Sequence, residues 1–511
     1  MSLGLGVWSE RVDRRSDGTT ESVFARTKMA PAVTLQPPGR SANSRPKADL
    51  ALTQRRGNVM RRRTSRTAFT ALALLGLSLS ACGQAVSPSP AASAPASTAP
   101  GASPAASAAG PATEITFWSW VPGIGDQVAE FNASHPDIKV NHESAQAGNA
   151  EYTALGTALQ TGVGVPDLVQ IEYQHLPGFI SRGDLANLAE LGAGDVKDQF
   201  VEWTVAQASQ GDGIYAYPQD AGPMIMMCNK TLLDKYGVAV PTTWDEFTKA
   251  AATLHAADKN VYLTNFTADQ GHFFGLLWQS GARPFTVDGQ NIKIDFTSPE
   301  VTRVAKLWGD LMNSGNMSPL DTYTNDWNAA LANQTIACWT AGAWGPSLIE
   351  SAAPDLKGNW QVYPMPQWDA SKPINGNYGG STIAVTKAST HPKEAETFAR
   401  WLNTDPKITL DLTGGNANLF PVTKATLSNP EWSGAKAEFW GGQETHKVMA
   451  DGANQVDVSF GWSPFTGFVY TTYAEELTNV RAGNITFEQA MQNVQEKSTA
   501  YAKEQGFTVQ E

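Results

Sequence analysis

Cysteine is scarce in this chain: Cys82, Cys228 and Cys338 are the only three, and none forms a Cys-x-x-Cys pair. The seven histidines (135, 142, 175, 255, 272, 391 and 446) are scattered, with no His-x-x-x-His pair, so the spacings that build zinc sites are missing. Neither a metal nor another cofactor is expected. The Gly-x-Ser-x-Gly turn that exposes a nucleophilic serine is absent too, and no hydrolase signature replaces it, so the chain is not read as an enzyme. The apolar run from Ala68 to Ala81 holds 14 residues, about 21 Å as a helix, whereas a bilayer span takes roughly 20 apolar residues. It is too short for a membrane anchor.

Positive charge is also lacking where the chain folds. Of the 37 Lys and Arg, 14 precede Cys82, against 5 of the 49 Asp and Glu; the remainder carries 23 basic and 44 acidic residues, a formal charge of −21. A surface that negative repels phosphate backbones and anionic lipids, which argues against nucleic-acid or lipid-surface binding.

The short apolar run has a role of its own. It follows Arg61, Arg62, Arg63 and Arg66 and closes on Leu79-Ser80-Ala81-Cys82, the pattern of a bacterial lipoprotein export signal that is cut before a lipidated Cys82. Residues 60–81 read as the signal peptide. Residues 1–59 are Arg-rich, without apolar periodicity, and are expected to be a non-native or disordered extension with Met60 the true start. From Gly83 to Thr113 the chain is almost wholly Ala, Ser, Pro, Gly and Thr without one charge, so 82–112 reads as a lipidated leash of about 30 Å average reach. The protein is expected outside the cytoplasm, lipid-anchored to the cell membrane.

Beyond the leash, strands and helices alternate: strands at Glu114–Trp118, Ile138–His142 and Pro166–Glu172, helices at Gly125–Ser134 and Glu151–Thr161. This rhythm predicts an α/β protein with a mostly parallel sheet, and about 400 residues exceed one core, so two lobes are expected. Thr243 with Glu246 reads as a capping box, and further helices are expected at Ser298–Ser314, His391–Asn403 and Phe487–Gln505. Cys228 and Cys338 lie in strand-like apolar segments, Met224–Cys228 and Thr335–Trp339; a disulfide and two buried thiols are both open.

Tyr217-Pro218-Gln219-Asp220-Ala221-Gly222-Pro223-Met224, continuing through Cys228-Asn229-Lys230 and Asp234-Lys235-Tyr236-Gly237-Val238 to Pro241-Thr242-Thr243-Trp244, resembles the extracellular solute-binding proteins of ABC sugar importers, family 1. The likeness continues in Phe117-Trp118-Ser119-Trp120, Pro166-Asp167-Leu168-Val169, Ala341-Gly342-Ala343-Trp344, Asn377-Tyr378-Gly379-Gly380-Ser381 and His391-Pro392-Lys393-Glu394-Ala395. Each motif is weak alone; their order is what carries the resemblance. It implies a two-lobed periplasmic-binding-protein fold of the maltose-binding-protein type, hinged between lobes. Lobe 1 would take 113–222 plus 379–425, and lobe 2 would take 223–378 plus 426–511. It also implies a carbohydrate ligand, an ABC permease as partner and a monomer.

Sugars present apolar C–H faces and a rim of hydroxyls, so their sites need aromatic planes with amides or carboxylates beside them. Trp118 and Trp120 end the first strand, and Glu172, Tyr173 and Gln174 end a later one, where open α/β sheets bind ligands. Asp220, where the chain leaves the first lobe, is the first polar choice, because one carboxylate can accept two hydroxyls. Trp278, Trp344, Tyr378 and Trp462 would come from the other lobe or its edge. Gly379 and Gly380 would let backbone amides approach a ligand. Two alternatives accompany this reading: a secreted carbohydrate-active enzyme with paired carboxylates, and the same fold binding glycerol phosphate or a polyamine.

Overall fold

In the computed structural model, residues 111–510 are described; the signal, Cys82 and most of the leash lie outside them. The early rhythm folds as its sequence indicates. Strand β1 (Thr113–Ser119) buries alternate residues, Ile115, Phe117 and Ser119, and pairs in parallel with β2 (Ile138–Ser144) and β3 (Leu168–Glu172). Helix Gly125–Ser134 buries Val128 and Phe131, and Phe131 meets Phe398 of helix Pro392–Thr404 edge to face at 5.0 Å, with Phe117 at 5.3 Å from the same ring. Stacked and edge-on aromatics of this kind dominate core burial.

One strand of this sheet departs from the expected parallel course. The order is β2-β1-β3-β8-β4, with β4 at Ala216–Pro218 and β8 at Ser381–Val385, and β8 runs antiparallel to both its neighbours. Its direction follows from connectivity: the chain reaches β8 from the other lobe rather than by a local helical crossover. The second sheet is wholly antiparallel, β6-β5-β7, with β5 at Met224–Asn229, β6 at Cys338–Gly342 and β7 at Trp360–Tyr363. Strand β6 starts later than Thr335, because Gln334 takes a positive φ of 58° and Ala337 and Cys338 bond instead to Tyr262 and Leu263.

Every residue of β5 is buried, as befits a central strand covered on both faces. Cys228 and Cys338 lie directly opposite each other on β5 and β6, with Cα atoms 4.1 Å apart, and are joined as a disulfide. The thiol alternative is thus resolved in favour of the bridge. Around this sheet the core is tryptophan-rich: Trp244, Trp327 and Trp339 are buried with their indole N–H groups donating to Gln279, Asn265 and Thr267. Much of the tryptophan content therefore serves packing.

Helix boundaries agree closely with the capping chemistry. Thr243 and Glu246 form the reciprocal capping box of helix Trp244–Ala257, Ser298 caps Pro299–Ser314, and Thr486 caps Phe487–Glu504. Two crossing segments run side by side between the sheets, one from β4 to β5 and one from β7 to β8. Tyr378 N–H donates to Gly222 O (2.7 Å), Met224 N–H to Gly376 O (3.0 Å) and Gly222 N–H to the Asn377 side chain (2.8 Å). Gly222 must be glycine here: a Cβ would sit 2.0 Å from Tyr378 O. A third segment joins them where Ala221 N–H donates to Phe420 O. The result is a two-lobed α/β fold with paired backbone at the crossing, and no described helix is long and apolar enough to cross a membrane.

Candidate functional site

The carboxyl ends of β1 and β3 and the paired crossing segments meet in one half-buried region. Asp220 is fixed there by a relay of buried polar side chains. Ser119 Oγ donates to Gln170 Oε1 (2.8 Å), Gln170 Nε2 to Ser381 Oγ (2.7 Å), and Ser381 gives Asp220 Oδ1 both its backbone N–H (2.7 Å) and its hydroxyl (2.5 Å). Burial nevertheless dominates these bonds and pushes the Asp220 carboxyl up to about 6. Gly379 and Gly380 follow with φ near +90°, and a Cβ on Gly380 would lie 2.8 Å from Asp220 O. Only glycine fits that approach.

Glu172 is half-buried and bonded both ways to Tyr152, whose hydroxyl donates to Glu172 Oε2 and accepts from Glu172 N–H, each at 3.0 Å. Burial raises its carboxyl, with the charges of Asp220 and Asp269 adding to the effect. Asp269 belongs to the other lobe, where its side chain caps helix Gln270–Gln279 through Gly271 N–H. The charges of Asp220 and Asp269 thus act on the region of Glu172.

Aromatic rings close the other side. Trp344 is half-buried, donates from Nε1 to Tyr378 O (2.9 Å) and meets the Tyr378 ring edge to face at 5.0 Å. The Tyr378 hydroxyl is 3.1 Å from that of Tyr323, which is 46% exposed and holds a positive φ of 65°. A non-glycine residue in that region stores strain of about 1–3 kcal/mol, which tends to be retained at functional sites. Tyr470 adds a ring edge-on to His175, and its buried hydroxyl has no partner among the described residues.

Several residues expected from sequence lie elsewhere or act differently. Tyr173 is wholly buried and donates to Asp220 O (3.1 Å), so it braces the crossing rather than offering a face. Gln174 is buried beside helix Leu176–Arg182. Trp118 is half-buried, bonded through Nε1 to Glu143 (2.9 Å), and walls a recess of about 240 Å³ with Glu143 and Glu151. Trp120 is half-buried, its backbone N–H held by Gln170. Trp278 has no exposed surface: Phe460 stacks on it at 4.5 Å, Trp203 meets it edge-on, and Nε1 donates to Asp457 O. Trp462 is 7% exposed, stacked near Phe274 and edge-on to Phe460. Both belong to one buried aromatic layer, Trp278 meeting Trp462 edge-on at 6.2 Å, and a lone Trp carries the same sequence signal in core and site.

Sequence reading missed Tyr152, Asp269, Tyr323 and Tyr470, which reach the region through tertiary contacts and carry no local motif. It also missed Glu151, 2% exposed with neither carboxyl oxygen bonded among the described residues. Burial, then the charge of Glu172, pushes Glu151 from 4.5 up to about 8. Between those pH values the folded state keeps a proton that the unfolded state releases, so stability falls as pH rises through the window. Glu151→Gln is expected to raise the melting temperature near pH 9 and to change it little near pH 5. Equal shifts at both pH values would contradict that assignment. Among the described residues, no group of three His, Cys, Asp or Glu is arranged to hold a metal ion.

Comparison with known proteins identifies the family. Residues 119–407 match the family model of the bacterial extracellular solute-binding protein. The arabinooligosaccharide-binding protein of Bacillus subtilis (strain 168) is 27% identical over 300 residues, covering 56% of this chain and 68% of that protein. Among solved structures, the ABC transporter associated binding protein from B. animalis subsp. lactis Bl-04, in complex with beta-1,6-galactobiose, is 28% identical with a TM-score of 0.67 over 78% of this chain and 100% of that one. The galacto-N-biose-/lacto-N-biose I-binding protein of the ABC transporter from Bifidobacterium longum, in complex with lacto-N-biose, is 26% identical with a TM-score of 0.69 over the same shares. With more than half of its length matched by the family model, the chain belongs to the bacterial extracellular solute-binding proteins.

Proposed function

We propose that this protein is the substrate-binding lipoprotein of a bacterial ABC importer, capturing a di- or oligosaccharide between its lobes and delivering it to the membrane permease. One observation carries the reading: aromatic rings (Trp344, Tyr378, Tyr323) and hydrogen-bonding carboxylates (Asp220, Glu172, Asp269) converge from both lobes at the crossing segments. Rings offer planes for sugar C–H faces, and carboxylates accept paired hydroxyls with charge assistance. The saccharide ligands of the similar proteins support the same class.

Ligand touching both lobes favours the closed form, because binding shifts an equilibrium only through contacts that differ between states. The lobes would be 113–222 plus 379–425 and 223–378 plus 426–511, tethered through a lipidated Cys82 and the 82–112 leash. Saccharide should be returned intact after incubation; release of new reducing ends over many turnovers would favour an enzyme. A thermal-shift screen of mono-, di- and oligosaccharides tests the ligand class. A ligand at 100 times its dissociation constant adds about 2.7 kcal/mol to stability.

One observation favours a second reading. The charges that help raise the Glu172 carboxyl are those of Asp220 and Asp269, an arrangement that also suits a cationic solute. Spermidine therefore belongs in the screen, with glycerol phosphate as the anionic control. A response to spermidine with silence across sugars would move the function to polyamine capture.

A further inference from the structure

Beside the carboxylate and aromatic region lies a larger cavity of about 570 Å³, between helix Leu176–Arg182 and the Ser463–Phe468 turn. That volume falls within the range of roughly 300–1,000 Å³ typical of ligand pockets. The elements that enclose it come from both lobes and approach closely: a Cβ on Gly178 would lie 2.9 Å from Pro464 O.

Its walls are aromatic, with polar groups between them. Phe468 and Tyr501 stack with ring centres 3.9 Å apart and planes within 8°, while Phe179 and Phe465 add apolar faces. Gln174 contributes an amide to the wall, two residues along the chain from Glu172. Tyr152 lines the same cavity while its hydroxyl donates to Glu172. Tyr152 thus belongs at once to the proposed sugar site and to the neighbouring cavity, and Gln174 lines the passage beside it.

We propose that the sugar site continues past Tyr152 and Gln174 into this cavity, which holds the distal units of a saccharide longer than two residues. The inference rests on the saccharide reading and adds to it a chain-length class and a second set of contacts. Rings at the far end offer stacking planes to further sugar units, and Tyr152 with Gln174 beside it keeps the path continuous. A disaccharide would occupy the crossing region alone.

Gly467 allows a test that spares the fold. It lines the cavity, is exposed in the first turn of helix Thr466–Arg481, and a Cβ there meets nothing within 4 Å. Gly467→Phe should fill the cavity without displacing packed atoms, and Phe468→Ala removes one stacking face instead. Titration calorimetry of the full chain with malto-, galacto- and arabino-oligosaccharide ladders of two to five units is the measurement. In the unmodified protein, affinity within the recognised series should rise about ten-fold or more beyond the disaccharide, an increment in the range of one well-packed contact. Gly467→Phe should abolish that rise and leave disaccharide affinity within about two-fold, and Phe468→Ala should reduce the rise. Flat affinity with length, a rise that persists in Gly467→Phe, or equal losses for disaccharide and longer ligands would each overturn the proposal while leaving saccharide binding intact. Silence across every ladder would instead remove the saccharide reading, and this proposal with it.

Discussion

Trp344→Ala is expected to weaken saccharide binding by about 30-fold, equivalent to roughly 2 kcal/mol, the loss typical of an aromatic anchor. The ring is half-buried against Tyr378, and its Nε1 bond to Tyr378 O leaves the indole no freedom to turn away. Such fixing lowers the entropy lost on binding, so truncation removes a prepared stacking plane as well as its area. The fold should survive, because the crossing segments remain joined through Gly222, Asn377 and Gly376. Calorimetric titration alongside a thermal melt separates the two effects. An unchanged dissociation constant would remove Trp344 from the site, whatever the melt shows.

The largest effect on stability is expected from the disulfide. Cys228 and Cys338 are 110 residues apart in sequence, wholly buried, and opposite each other at the start of β6. Cross-linking so long a loop restricts the unfolded chain by about 4–5 kcal/mol in the loop-entropy description. Replacing both with alanine should therefore lower the denaturant midpoint strongly and steepen the transition, because the freed unfolded chain exposes more surface. Adding reductant to the unmodified protein during unfolding should approach the same midpoint. A double variant as stable as its parent would show that the bridge contributes nothing. The bond also fits export, since buried disulfides persist outside the reducing cytosol.

What the sequence revealed depended on how local the physics was. Helix starts were legible because capping is a matter of a few neighbouring residues: Thr243 with Glu246 caps the helix expected of it, and the helices expected from Ser298 and at Phe487 begin where Ser298 and Thr486 cap them. The first three strands were legible from their apolar patterns. The antiparallel course of β8 was not, because direction is set by a path through the other lobe, and the periodicity of Ser381–Val385 is the same either way. Of the candidate residues, Asp220, Glu172, Trp344, Tyr378 and the two glycines lie around the crossing, whereas Trp278 and Trp462 pack in a buried aromatic layer. Burial alone distinguishes those tryptophans, and burial is a property of the assembled fold. Asp269 and Tyr323 were silent for a related reason: one looks like any helix cap, and the other is marked only by a backbone angle. Cys82 and the export signal lie outside the described residues, so the lipid anchor rests on its sequence pattern.

Lobe closure around a saccharide is the central claim, and small-angle X-ray scattering tests it most directly. The protein would be measured alone and with a saturating amount of the sugar that the thermal screen selects. The account predicts a smaller radius of gyration and a shorter maximum dimension with sugar bound, reversed on its removal, and in Trp344→Ala the same change only at correspondingly higher sugar concentrations. Saturating binding with scattering identical to that of the free protein would contradict capture by closure.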